Sequence, residues 1–139
     1  MSRQFTKVVF FDIGDTLGTR DNSGFHVFEG VKALLTGMRN ALGLRVGVIT
    51  NLPLGMTSAE IGEILRSAGL LELLDAKGLI TSVDAKVEKP AIAIYRFAAA
   101  QMGVQPEQCL YVGEAAAEVE GALQAGMAAI QKPLPPSDH

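Results

Sequence analysis

The sequence holds one cysteine, Cys109, no tryptophan, two histidines and only 6% aromatic residues. A single cysteine excludes an intrachain disulfide and any CxxC-type metal site. Two histidines, one of them the last residue, leave little for a His-based zinc centre or a Ser-His-Asp triad. Lys and Arg number 12 and never cluster, and the formal net charge is −3. That balance offers no footprint for nucleic acid and none for an anionic membrane surface. The longest early apolar run, residues 8–11, is too short for a secretion signal or a membrane span. A soluble, cytoplasmic protein is the expectation.

What is present is globular. A chain of 139 residues, 48% of them hydrophobic, is expected to form one domain over residues 1–139. A chain of this length buries about two-thirds of the surface that its unfolded form exposes. The core must be aliphatic, with 18 Ala and 16 Leu against 6 Phe and 2 Tyr. Short apolar runs at 8–11, 45–49, 78–80, 109–112 and 128–130 end at Gly or polar residues, as strands buried on both faces do. Between them lie stretches with helical spacing. Val31, Leu34, Leu35, Met38 and Leu42 form one, closed by Gly43. Ile61, Ile64, Leu65 and Ala68 follow capping residues Thr57 and Ser58. Pro90 is expected to open a third helix at its first position, and residues 118–125 form a fourth. Strict alternation predicts an α/β fold: a three-layer, Rossmann-like parallel sheet with helices on both faces. The Pro-rich end, 132–139, is expected to fray.

In open parallel sheets ligands bind beyond the carboxyl ends of the strands. Those ends carry Asp12, then Thr50 and Asn51, then Glu114, and Lys89 stands at the start of the third expected helix. Asp12 and Glu114 are hard oxygen donors suited to a divalent cation. Thr50 and Lys89 are suited to hold and neutralise phosphate oxygens. With the charge screened, the Asp12 carboxylate can attack phosphorus.

These residues carry a resemblance. The segment Phe10-Phe11-Asp12-Ile13-Gly14-Asp15-Thr16-Leu17 resembles the first motif, hhhDxDGT(L), of the haloacid dehalogenase (HAD) superfamily. Val48-Ile49-Thr50-Asn51 resembles the second, Glu88-Lys89-Pro90 the third, and Leu110-Tyr111-Val112-Gly113-Glu114 with Glu118 and residues 121–127 the fourth. The four fall in family order over residues 8–130. The resemblance implies a HAD-like hydrolase, a Mg2+-dependent phosphatase acting through an aspartyl-phosphate on Asp12. It implies catalytic Asp12, Thr50 and Lys89, substrate contacts from Thr50, Asn51 and Lys89, and metal contacts from Asp12, Glu114 and the Gly14 carbonyl. The 37 residues between Asp12 and Thr50 leave no room for a cap domain, only for a flap around residues 19–28 that includes His26. Such an open site suits a bulky phosphorylated substrate or closure by a second subunit in a homo-oligomer; the expected partner is a small phosphorylated substrate or a phosphorylated macromolecule.

Three departures from the family pattern stand beside these matches. Gly14 occupies the position of the phosphatases' acid–base Asp, and Asp15, one residue on, is expected to swing away and serve as loop polarity. General acid–base help is worth about 10²–10⁴-fold, so its loss slows turnover without preventing attack. Glu114 and Glu118 replace Asp, each longer by one methylene. Ala91 follows Pro90 where relatives often carry Asp. A second reading is therefore a catalytically impaired HAD-like domain that binds a phospholigand or a protein. A third is a receiver-like phosphoacceptor, which also gathers Asp, Thr and Lys at sheet ends.

Overall fold

A computed structural model of the chain describes residues 5–133. Five parallel strands form the sheet: β1 (Val8–Phe11), β4 (Arg45–Thr50), β5 (Leu79–Thr81), β6 (Cys109–Gly113) and β7 (Ala128–Gln131). Their spatial order is β5-β4-β1-β6-β7. The chain's first strand is thus central, and the order reverses between β1 and β6, where a doubly wound sheet opens its ligand crevice. Receiver domains use a different order, with the second strand outermost. The receiver-like reading is therefore incorrect.

Alternation along β1 explains the two layers. Val8 and Phe10 pack with α4 (Ile92–Gln101) and α5 (Ala116–Gln124), through Ile94, Tyr95, Ala98 and Ala122. Val9 and Phe11 face the other way, onto Val31 and Leu35 of α1 (Val31–Asn40) and Ile61 and Leu65 of α2 (Ser58–Ser67). All four β1 side chains are buried, which is why the run is continuously apolar. Gly47 of β4 leaves room for Phe10, since a Cβ there would lie 2.9 Å from its ring. The expected capping of α2 is a full capping box, with Thr57 and Glu60 each bonding the other's backbone N–H.

Two expectations about boundaries are corrected. Pro90 does not open the third helix; α4 begins at Ile92 behind Ala91. The Ala91 N–H instead donates to the Glu88 carbonyl (3.0 Å), so Lys89 and Pro90 occupy the corner of a turn. The fourth helix starts at Ala116, two residues early. Between β1 and α1 the described residues hold a hairpin, β2 (Gly18–Asp21) and β3 (Gly24–Val27), at the place of the expected flap. Between β5 and α4 they hold one short helix, α3 (Ser82–Ala85). Lys132, expected to begin the frayed end, is instead held: its N–H donates to the Gly113 carbonyl (2.7 Å) and its Nζ to that of Asp15 (3.2 Å). The rest of that tail, 134–139, lies outside the described residues. Among those described, no helix is long and apolar enough to cross a membrane.

At the opposite end of the sheet, Arg45 joins three segments. Its Nε donates to Asp75 Oδ2 (3.0 Å) and its Nη1 to the Met102 carbonyl after α4 (2.6 Å). The guanidinium hydrogen bond holds the Asp75 carboxyl below its ordinary value of 3.8. A depressed carboxylate stabilises the fold above its unfolded pKa, and that contribution is lost as pH falls through the folded one. The side chains are 39% and 25% exposed, so solvent screens much of the interaction. Asp75→Asn is expected to cost about 1 kcal/mol at neutral pH. Urea titrations of both proteins should show that gap closing as pH falls below 3.8; a gap independent of pH would contradict the pairing.

Candidate active site

Asp12 follows the central strand directly, and its N–H donates to the Val112 carbonyl of β6 (2.9 Å). This places the carboxylate at the β1/β6 reversal. Lys89 reaches it from the turn before α4. The lysine side chain is 1% exposed; it donates to Asp12 Oδ1 (2.9 Å) and Tyr111 Oη (2.9 Å), and forms an ion pair with Glu118 Oε1 (2.8 Å). Two hydrogen bonds and two carboxylate partners thus offset the burial of the ammonium. Asp12 Oδ2 accepts no hydrogen bond among the described residues.

Around the lysine the aromatic residues form a rigid wall. Tyr111 donates to Glu118 Oε1 (3.2 Å), and Tyr95 to the Glu118 carbonyl (2.6 Å). The two rings meet edge-on at 5.5 Å, and the ammonium lies 5.4 Å from the Tyr111 centroid. Burial, followed by the charges of Asp12 and Glu118, pushes the Tyr111 hydroxyl well above the usual phenol range. It therefore stays a neutral donor.

Asn51 holds the lysine's backbone from the end of β4. Its Oδ1 accepts from Lys89 N (2.8 Å), and its Nδ2 donates to the Lys89 carbonyl (3.1 Å). Both ends of the amide are thus engaged, and Asn51 meets the site through Lys89. Thr50, beside it, is buried and lines a cleft of about 240 Å³ together with Gly14, Arg20 and Leu52. Its hydroxyl makes no hydrogen bond within the described residues.

Glu114, after β6, is half-buried. Burial first, then the neighbouring charges of Asp12, Asp15 and Glu118, raise its proton affinity; Lys89 opposes them. Among the described residues, Lys89 is the one cation in contact with Asp12 and Glu118, and with Glu114 the carboxylates outnumber it. Asp15 adds another from a left-handed backbone conformation (φ 59°), which Asp tolerates better than most residues. Its carboxylate accepts no hydrogen bond among the described residues, so the expected loop-amide contacts are not formed. Gly14 is exposed, and a Cβ there would meet nothing within 4 Å. Among the described residues no three His, Cys, Asp or Glu side chains form a ready-made metal cluster. Glu118 is turned to Lys89 and Tyr111 instead.

The four motif residues Asp12, Thr50, Lys89 and Glu114 therefore gather at one end of the sheet, as their spacing implies. Sequence reasoning missed the part played by Tyr111 and the second anchor that Glu118 gives the lysine. One signal was available. Gly121, in mid-α5, lets that helix approach: a Cβ there would lie 2.4 Å from the Pro90 carbonyl oxygen.

An open, doubly wound sheet with its polar residues gathered at the switch point defines the class as an α/β ligand-binding fold. Residues 19–126 match the model of the haloacid dehalogenase-like hydrolase family, and the chain belongs to that family. Solved structures agree in fold. A predicted phosphoglycolate phosphatase from Haemophilus somnus 129pt is 17% identical, with TM-score 0.75 over 93% of this chain and 85% of that one. A HAD family hydrolase from Deinococcus radiodurans R1, solved with bound phosphate and sodium, is 18% identical, with TM-score 0.74 over 91% and 80%. A HAD phosphatase from Thermococcus onnurineus is 27% identical with TM-score 0.66, and this chain, matched over 76%, spans 46% of it. A comparison with curated protein sequences finds no match.

The close approach at Gly121 yields a test. Alanine is the better helix former by roughly 0.5–1 kcal/mol. Overpacking a dense contact costs about 1–3 kcal/mol. Gly121→Ala is therefore expected to lower stability in chemical denaturation. A stabilised variant would show that α5 is not pressed against the Lys89–Pro90 turn.

Proposed function

We propose that the protein is a Mg2+-dependent phosphatase acting on small phosphomonoesters through an aspartyl-phosphate on Asp12. The observation that carries this reading is the Asp12 carboxylate itself. It stands at the end of the central strand, fixed through Oδ1 by a buried ammonium, and neither its Oδ2 nor the Thr50 hydroxyl at the end of the neighbouring strand is hydrogen-bonded among the described residues. In this reading Oδ2 attacks phosphorus, the bond to the leaving oxygen breaks, and water then cleaves the acyl phosphate to release inorganic phosphate and Asp12. Thr50 holds a phosphate oxygen, and Lys89 keeps the nucleophile oriented through Oδ1. Asn51 and Tyr111 act as positioning residues, holding the lysine's backbone and its ammonium.

The residues fit a hard dication. Burial, and after it the charges of Asp12, Asp15 and Glu118, raise the proton affinity of Glu114, so a cation beside it would be favoured. Mg2+ is commonly held by one or two carboxylates with several waters and a substrate phosphate. Asp12, Glu114 and the Gly14 carbonyl would hold it, and it would neutralise charge on the transferring phosphoryl group. With Gly14 in place of a carboxylic acid, the leaving oxygen takes its proton from solvent. Esters with good leaving groups should therefore be the better substrates. A cytoplasmic setting accords with the single buried Cys109.

The test is hydrolysis of an aryl phosphate, acetyl phosphate and a simple alkyl phosphate, with Mg2+ or EDTA. Aryl and acetyl phosphate turnover is expected with Mg2+, and it should disappear with EDTA and in Asp12→Asn. Activity equal in wild type and Asp12→Asn would remove Asp12 as nucleophile. Absence of turnover on all three would favour a binding domain. Since an added side chain at Gly14 meets open space, Gly14→Asp is expected to raise alkyl phosphate hydrolysis by about 10- to 100-fold. Its effect on the aryl ester should be smaller. No gain would mean that residue 14 does not face the leaving group.

A further inference from the structure

The cleft beside Thr50 has one charged side chain in its lining, and the phosphatase reading gives that residue no task. Arg20 lies on β2, directly opposite Phe25 on β3, and both line the cleft from the hairpin side. The Arg20 guanidinium is exposed and makes no hydrogen bond or ion pair among the described residues. Its neighbour Asp21 does not neutralise it. That carboxylate accepts from the N–H and Oγ of Ser23 (2.7 Å each) and lies 3.0 Å from His26 Nε2, closing the hairpin turn. These bonds hold the Asp21 carboxyl down at about 2, so it remains an anion committed to the turn. The hairpin is also anchored from below: Phe25 and Val27 pack against the core layer that holds Phe11 and Ile61. Arg20 is thus presented on a fixed support.

The acidic groups Asp12, Glu114 and Glu118 mark the phosphoryl end of the site. Leu52, Pro53 and Met56 form an apolar wall of the cleft. A free guanidinium is a fork shaped for carboxylate or phosphate oxygens. From this arrangement, and resting on the phosphatase reading, we infer that Arg20 is a specificity residue. It binds a second anionic group, a carboxylate or a second phosphate, at the far end of a small phosphomonoester. The hydrocarbon spacer between the two anionic ends lies against the apolar wall. The open side of the sheet then selects substrates by charge at both ends, a task for which the described residues offer no covering domain.

Equilibrium binding of non-hydrolysable phosphonates in Mg2+ buffer tests this without relying on turnover. Propylphosphonate, 3-phosphonopropionate and propane-1,3-diphosphonate share a spacer and differ at the far end. Wild type is expected to bind at least one of the two doubly anionic compounds about tenfold more tightly than propylphosphonate. Which of the two gains tells carboxylate from phosphate. The advantage should vanish in Arg20→Gln, persist in part in Arg20→Lys, and shrink as salt is raised. Propylphosphonate affinity should be the same in all three proteins. Equal binding of the three compounds by wild type, or an advantage that survives Arg20→Gln, overturns the inference. If that happens while aryl phosphate is still hydrolysed in an Asp12-dependent manner, the subsite fails alone. If no phosphonate binds and no ester is hydrolysed, the phosphatase reading fails and the subsite with it.

Discussion

The structure turns on one buried ammonium. Lys89 has almost no contact with water, and removing a charge from solvent costs several kcal/mol even after the protein relaxes. That cost is offset only if oxygens and opposite charge meet the ammonium in good geometry. Asp12, Tyr111 and Glu118 supply the three oxygens, and they come from the end of β1, from β6 and from the first turn of α5. A single side chain thereby fixes how the central strand, its neighbour and the covering helix meet. Several otherwise unrelated features serve the same contact. Asn51 grips the lysine's backbone on both sides, Gly121 lets α5 come close, and Tyr95 braces the carbonyl of Glu118. The nucleophile candidate is fixed as a consequence of satisfying the lysine.

Much of this was legible in the residues, and the reasons are specific. Strands buried on both faces betray themselves by unbroken apolar runs, and β1 and β4 are such strands. Their ends could then be read as a rim, which brought Asp12, Thr50, Lys89 and Glu114 together. The hairpin was visible only as a flap. Its stretch Gly18–Asp21 and Gly24–Val27 lacks the alternation of a half-buried strand and is held largely by turn chemistry at Asp21 and Ser23. Proline misled the placement of α4. A proline before a helix ordinarily reads as its first residue, but here the chain needs a turn to aim Lys89 inward, and the helix waits two residues. The partnership of Asn51 with Lys89 spans 38 residues of chain and involves only backbone atoms of the lysine, so no side-chain pattern encodes it.

The two glutamates of the fourth motif look alike in sequence and part company in space. Glu118, within α5, lies near the buried lysine and reaches it with an arm longer than aspartate's. Glu114, on the loop ahead of that helix, meets no cation at contact distance among the described residues and carries the repulsion of three other carboxylates. The substitution of Glu for Asp is thus not one change made twice. At 118 the extra methylene is used in a structural ion pair. At 114 it leaves a carboxylate at the mouth, where the length of the arm matters to whatever charge is bound there.

That difference decides how an anion can enter the site at all. Two unit charges about 4 Å apart interact by about 4 kcal/mol at an effective dielectric of 20. The single positive charge of Lys89 is already shared between the carboxylates of Asp12 and Glu118. A phosphate dianion approaching Asp12 alone would face a repulsion of several kcal/mol from carboxylates that Lys89 neutralises only in part. The cost falls only if positive charge arrives with the ligand or waits at the far end of the cleft. On the proposed reading a dication fills the first place, beside Glu114 and Asp12, and Arg20, which has no ion pair among the described residues, the second. The same surplus of carboxylates that fixes Lys89 would then make phosphate binding conditional on charges that the buried network does not contain.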